Sequence, residues 1–102
     1  MSFKIKHITA SSLIHTGPGI FGGFLLGMDK VNDQEITIYD NTEASGTEIV
    51  PTNTYDASAL GLNGYIGAED EYLNGIYVEI SGGGSVEVTT RHKEKQSINV
   101  GV

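Results

Sequence analysis

The chain has 102 residues, 14 glycines, no cysteine and a net charge near -7, from 13 acids against 6 bases. That length holds one ordinary domain. The acidic balance argues against a duplex nucleic-acid footprint or attraction to anionic membranes, and the lack of thiols excludes disulfides, thiolate catalysis and cysteine-based zinc sites.

Residues 3–9 alternate apolar and polar side chains and predict a first strand. Residues 10–14 extend it or turn. No long apolar run of the secretory type occurs in residues 1–16. The run HTGPG at 15–19 breaks the pattern, because Pro18 has no amide hydrogen and Gly17 and Gly19 accept positive φ. Residues 20–28, IFGGFLLGM, predict a buried strand. Their three glycines would cost a helix about 1 kcal/mol each, and the segment is too short to cross a bilayer as a helix. Gly22 and Gly23 admit a bulge or a covering neighbour.

A turn at 29–33 leads to residues 35–39, with Ile36 and Ile38 on one face and Glu35, Thr37 and Tyr39 on the other. Asp40, Asn41 and Gly46 belong to a polar turn whose side chains satisfy its own amides. Residues 47–50 resume an extended run, and Pro51 confines it to an edge, an end or a bulge. Residues 52–64 read as a loop, a short strand at 52–56 or a helical turn at 57–60, followed by the turn pair Asn63-Gly64. Residues 65–68 are a short run, Glu69, Asp70 and Glu71 an acidic bend, and Asn74 with Gly75 a second turn pair.

Residues 76–80 and 86–90 read as the arms of a β-hairpin. Gly82, Gly83 and Gly84 form its tip, and Ile76, Val78 and Ile80 lie near Val86 and Val88. Residues 91–96 are charged. Ile98, Val100 and Val102 alternate beyond them, as a free tail or a strand that pairs with another subunit. The elements sum to an all-β fold: a compact antiparallel β-sandwich or jelly-roll-like barrel of about 6–8 short strands. Residues 17–91 form the sandwich, 1–16 an N-terminal strand or attachment arm, and 92–102 a C-terminal tail or edge strand.

Signals of chemistry are few. His7, His15 and His92 lack metal-ligand spacing. His15 reads as a turn or surface residue and His92 as a solvated one, so a metal site would have to be assembled by tertiary structure. The acidic run lacks the calcium-loop pattern, the serines lack a nucleophile elbow, and the SGGG run lacks the lysine and helix of a phosphate loop. No catalytic residue, metal ligand or cofactor is assigned, and no enzyme is expected. Tyr39, Tyr72 and Tyr77 are the candidate interface or ligand-facing residues, since tyrosine suits interfaces and sugar stacking. Tyr39 and Tyr77 lie opposite isoleucine stripes. Either they stand on an outer surface, or both sheet faces are partly buried.

The order of motifs carries a resemblance. GPGIFGGFLLG is followed by ITIYDNTEASGTEIV and, late in the chain, by YLNGIYVEISGGGSVEVTTR. This order resembles a group of small structural proteins of tailed bacteriophages. The matching residues are Tyr39, Asp40, Asn41, Thr42, Ala44, Ser45, Gly46 and Thr47, then Asn74, Gly75, Ile76, Tyr77 and Val78. Thr90 departs from the pattern, where an aromatic residue is expected. The resemblance implies a non-enzymatic β-sandwich of the virion, assembled in the host bacterial cytoplasm. Its expected partners are the major capsid protein or other virion proteins, and copies of itself in an oligomer, with a trimer favoured. A capsid decoration or stabilising subunit is the leading expectation. A carbohydrate- or receptor-binding module of a head fibre or tail is the alternative.

Overall fold

A computed structural model describes residues 3–29, 31–57, 63–65 and 69–95. Among them are nine strands: β1 (Lys4–Ile8), β2 (Ser12–Thr16), β3 (Gly19–Met28), β4 (Gln34–Tyr39), β5 (Glu48–Tyr55), β6 (Asn63–Tyr65), β7 (Asp70–Tyr72), β8 (Gly75–Gly82) and β9 (Val86–Glu94). All pairings are antiparallel. One sheet runs β1-β9-β3-β6, with β7 also on β3; the other runs β2-β8-β4-β5. Short β7 pairs with β3 at Gly19, Ile20 and Phe21, and short β6 at Phe24, Leu25 and Leu26, so the two share one strand position. Each sheet is therefore four positions wide. The chain crosses between the sheets in the order of a jelly roll.

Period-2 alternation explains why each strand has a wet and a dry face. Ile36 and Ile38 of β4 and Ile76 and Val78 of β8 are fully buried, as are Phe21 of β3 and Val88 of β9. They meet in one core with Phe24, Leu26, Ile14, Val50 and Tyr72. In β3 the alternation would separate Phe21 from Phe24. The register against β9 slips between Phe21 and Gly23, and this bulge points both rings inward. Gly23 takes a φ of 114° there. Phe3 covers Gly22 so closely that a Cβ would stand 2.6 Å from its ring. Both alternatives expected for the glycine pair thus occur together.

The edges behave as the composition implies. Pro51 lies on the edge strand β5, where the register to β4 slips between Ile36 and Ile38. At the other sheet's edge, β1 shares its inward parity between Ile8, which packs on the core, and two lysines, Lys4 and Lys6. Exposed lysines on one edge strand and a proline on another both discourage edge-to-edge pairing with other chains.

The sequence-based hairpin is overturned. β8 pairs with β2 and β4, β9 pairs with β1 and β3, and the two belong to different sheets. Two strands with matching apolar stripes bury them equally well side by side or face to face; here they face each other. The glycine run is the crossover between sheets. Gly84 sits at φ 69°, and a Cβ on it would collide with the Asp29 carboxylate. That carboxylate accepts from the amides of Val31, Asn32 and Ser85. These bonds hold its pKa well below the usual carboxylate range.

Three smaller expectations also change. Residues 4–16, set apart as a strand or arm, supply β1 to one sheet and β2 to the other. Asn63-Gly64 lies in β6 rather than in a turn. The acidic bend is largely β7, with Glu69 and Glu71 at 3.7 and 3.5 Å from Lys93 and Lys95. The helical turn at 57–60 and the alternation beyond residue 96 fall outside the described residues.

The crossover makes a distinguishing prediction. In a free hairpin tip, alanine at Gly83 or Gly84 would be nearly equivalent. Here Gly84→Ala should destabilise by more than about 1 kcal/mol, and Gly83→Ala by clearly less, as read from urea unfolding midpoints.

Candidate functional site

The inner stripe of β9 changes character along its length. Val88 is followed on the same face by Thr90, His92 and Glu94, so the dry face ends in polar groups. Val88, Thr90 and His92 are fully buried. Because β1 pairs with β9, Lys4 stands opposite His92. Edge strand β2 of the other sheet brings His15, and β7 brings Tyr72. Five chemically active side chains from four strands thus converge at one end of the sandwich.

Glu94 is the hub. Its Oε2 lies 3.1 Å from His92 Nε2, and its Oε1 accepts from Lys4 Nζ at 2.9 Å. His15 Nε2 faces the same Oε1 at 3.8 Å, beyond hydrogen-bond reach. The other nitrogen of His15, Nδ1, lies 2.8 Å from the Tyr72 hydroxyl, whose oxygen is 3.5 Å from the Lys93 carbonyl. The two imidazoles stack with centroids 5.4 Å apart, and Tyr72 meets His15 edge-on. One ligand atom from each of His15, His92 and Glu94 falls within 4.8 Å of the others. His92 Nδ1 and Thr90 Oγ1 are buried with no hydrogen-bond partner among the described residues.

Burial is the main force that lowers the His15 pKa; Glu94 opposes it, and His92 and Lys4 add to it. The Lys4 hydrogen bond, then the His92 bond, hold Glu94 below the carboxylate range. Burial raises the Tyr72 phenol far above its ordinary value, with the Glu94 and Asp40 charges adding to it. At neutral pH the cluster therefore holds a neutral His15, an ionised Glu94 and a protonated Tyr72.

The sequence reading missed this assembly. His15 was expected in a turn or at the surface, but it lies on β2 with 14% of its side chain exposed. His92 was expected in solvent, yet its whole surface is covered. The parity shared by Val88, His92 and Glu94 was the available signal, had the strand been extended past residue 90. Tyr72, expected at an interface, is 1% exposed and belongs to the core.

Tyr39 and Tyr77 are direct cross-strand partners on the outer face of the β2-β8-β4-β5 sheet. Both are half-buried, and the Tyr39 hydroxyl donates to Glu79 at 3.3 Å. Thr37, on the same face, is fully covered and bonded to Thr52. The outcome lies between the two readings of these rings. The Asp40 carboxylate was expected to cap its own turn. It instead accepts from the amides of Leu73 and Asn74, tying that turn to the start of β8. Asn41 does serve its own turn, through Ser45. Gly46 has φ 90°. Gly75 starts β8 and cannot carry a side chain, since a Cβ would stand 2.5 Å from the His15 carbonyl. Gly82 ends β8, and Gly83 and Gly84 bend the crossover.

A second feature occupies the outer face of the other sheet. Ile5 and Leu25, 61% and 38% exposed, flank Gly22 and Gly23, which lack side chains and are themselves buried. Together they line a shallow apolar trough of about 170 Å³. Phe3 stands beside it, with Arg91 and Lys93 against its ring at 4.2 and 4.4 Å. No family model matches the chain, and no curated protein or solved structure matches it either.

The two lowered pKa values set the sign of a pH effect. Each group stabilises the fold above its ordinary value, 6.5 for His15 and 4.5 for Glu94. That stabilisation is lost as pH falls through the lower folded value. Urea midpoints should therefore fall between pH 7 and pH 3. Glu94→Gln should lower the midpoint at pH 7, and its deficit against wild type should shrink in acid as Glu94 itself protonates.

Proposed function

We propose that the chain is a non-enzymatic structural subunit of a tailed-bacteriophage virion, a capsid decoration protein that stabilises the shell through protein–protein contacts. The observation that carries this reading is the apolar trough around Gly22 and Gly23. Exposed apolar side chains gathered around a trough mark a contact surface, and an oily wall with a cationic rim suits a protein partner. Lysines on edge β1 and Pro51 on edge β5 disfavour contact through those two edges and favour the sheet face.

Two further points support the reading. The motifs at residues 39–47 and 74–78 resemble those of small phage structural proteins. The jelly-roll strand order is also one that viral capsid domains use, although lectin domains use it too, and fold alone does not assign function. Partners would be the major capsid protein or a neighbouring virion protein, and the subunit would act as a homo-oligomer, with a trimer favoured.

A second reading has its own observation. Tyr39 and Tyr77 lie side by side on a face whose four strands contain no Lys or Arg. Such an aromatic pair beside Glu79 suits stacking on a sugar ring. A fibre or tail module that binds a glycan would use it.

Both readings are testable on the full chain. The double variant Ile5→Glu, Leu25→Glu should keep the wild-type circular dichroism. It should lose at least tenfold in co-sedimentation with capsids stripped of accessory proteins. Unchanged co-sedimentation would sink the trough as the contact surface. In a glycan screen, binding by wild type that Tyr39→Ser, Tyr77→Ser abolishes would transfer the assignment to the second reading.

A further inference from the structure

We infer that His15, His92 and Glu94 form a binding site for a single divalent transition-metal ion, of which zinc is the best match, and that this ion clasps the two sheets together. The donor set is two imidazoles and a carboxylate, a combination that zinc takes at bond lengths of about 2.0–2.2 Å. Around a tetrahedral ion, ligand atoms at those lengths stand roughly 3.3 Å apart. His92 Nε2 and Glu94 Oε2 are already at 3.1 Å, and His15 Nε2 and Glu94 Oε1 at 3.8 Å. The remaining separations fall within 4.8 Å.

The surroundings favour this use. His15 is held by its Nδ1 on the Tyr72 hydroxyl. With Nδ1–H donating to that oxygen, the lone pair of Nε2 points at Glu94. This is how metal-binding histidines are commonly oriented, and loss of such a partner typically costs 10–100-fold in affinity. His92 is covered completely, and its Nε2 faces the carboxylate.

Lys4 is the competitor. Its ammonium occupies Glu94 Oε1 at 2.9 Å, but its side chain is 61% exposed and free to swing into water. An arriving cation would displace it. His15 comes from one sheet, and His92 and Glu94 from the other, so the ion would join β2 to β9 where no backbone hydrogen bond does. The fourth position would fall to water.

Zinc titrated into the full chain by calorimetry at pH 7.5, in a non-coordinating buffer, tests the inference. Wild type should bind one equivalent and melt at a higher temperature with zinc than without. Cobalt(II) should give the visible absorption of a four-coordinate site. Glu94→Gln and His15→Ala should each weaken binding at least tenfold; Glu94 sits at the rim, so its variant keeps the test valid if loss of a histidine unfolds the chain. Tyr72→Phe should weaken binding about tenfold. Lys4→Met should tighten it, because the ammonium no longer competes for Glu94 Oε1. His7→Ala, which alters a histidine on the outer face of β1, should leave binding unchanged. No binding by wild type, or binding that Glu94→Gln leaves intact, would overturn the inference.

Discussion

Two stripes of branched and aromatic side chains are removed from water only by facing each other. Ile36, Ile38, Ile76 and Val78 form one stripe, and Phe21, Phe24 and Val88 the other. Neither sheet can bury its stripe alone, so each sheet's stability depends on the other. The remaining features answer that constraint. Where two of the crossings between sheets meet neighbouring groups, glycines stand: Gly19, just after residues 17–18, against the Lys93 carbonyl, and Gly84, within 83–85, against the Asp29 carboxylate. The β3 bulge turns a second phenylalanine inward instead of leaving it wet.

Where the two stripes run out, the space between the sheets is no longer dry. β9 continues inward past Val88 with Thr90, His92 and Glu94, and the edge strands β1 and β2 close over them with Lys4 and His15. Buried polar groups cost stability unless they are paired. Most of this cluster is paired, with Glu94 bound to Lys4 and His92. His15 Nε2 faces Glu94 Oε1 at 3.8 Å without a hydrogen bond. An acid-labile latch and a metal clasp are two uses of one geometry, because protons and cations compete for the same lone pairs.

The outer faces divide the remaining roles. One sheet presents an apolar trough with Arg91 and Lys93 beside it; the other presents Tyr39, Tyr77 and Glu79. Four of the six basic residues, Lys4, Lys6, Arg91 and Lys93, lie on the adjacent strands β1 and β9, while the opposite sheet's strands carry none. A small domain with such unlike faces can contact different neighbours on each side while its guarded edges resist random strand pairing.

Strand existence was legible in the sequence because alternation has a fixed period of two. Residues 35–39 and 76–80 declared their buried faces residue by residue, and Pro51 declared an edge. Alternation names a face and not a partner, so tertiary packing alone could decide that β8 and β9 sit in opposite sheets across a glycine crossover. The same limit hid the histidine cluster. His15 and His92 are 77 positions apart, and no local spacing links them. They meet because edge strand β2 of one sheet faces β9, one strand in from the edge of the other, an arrangement set by where the whole chain crosses between its sheets.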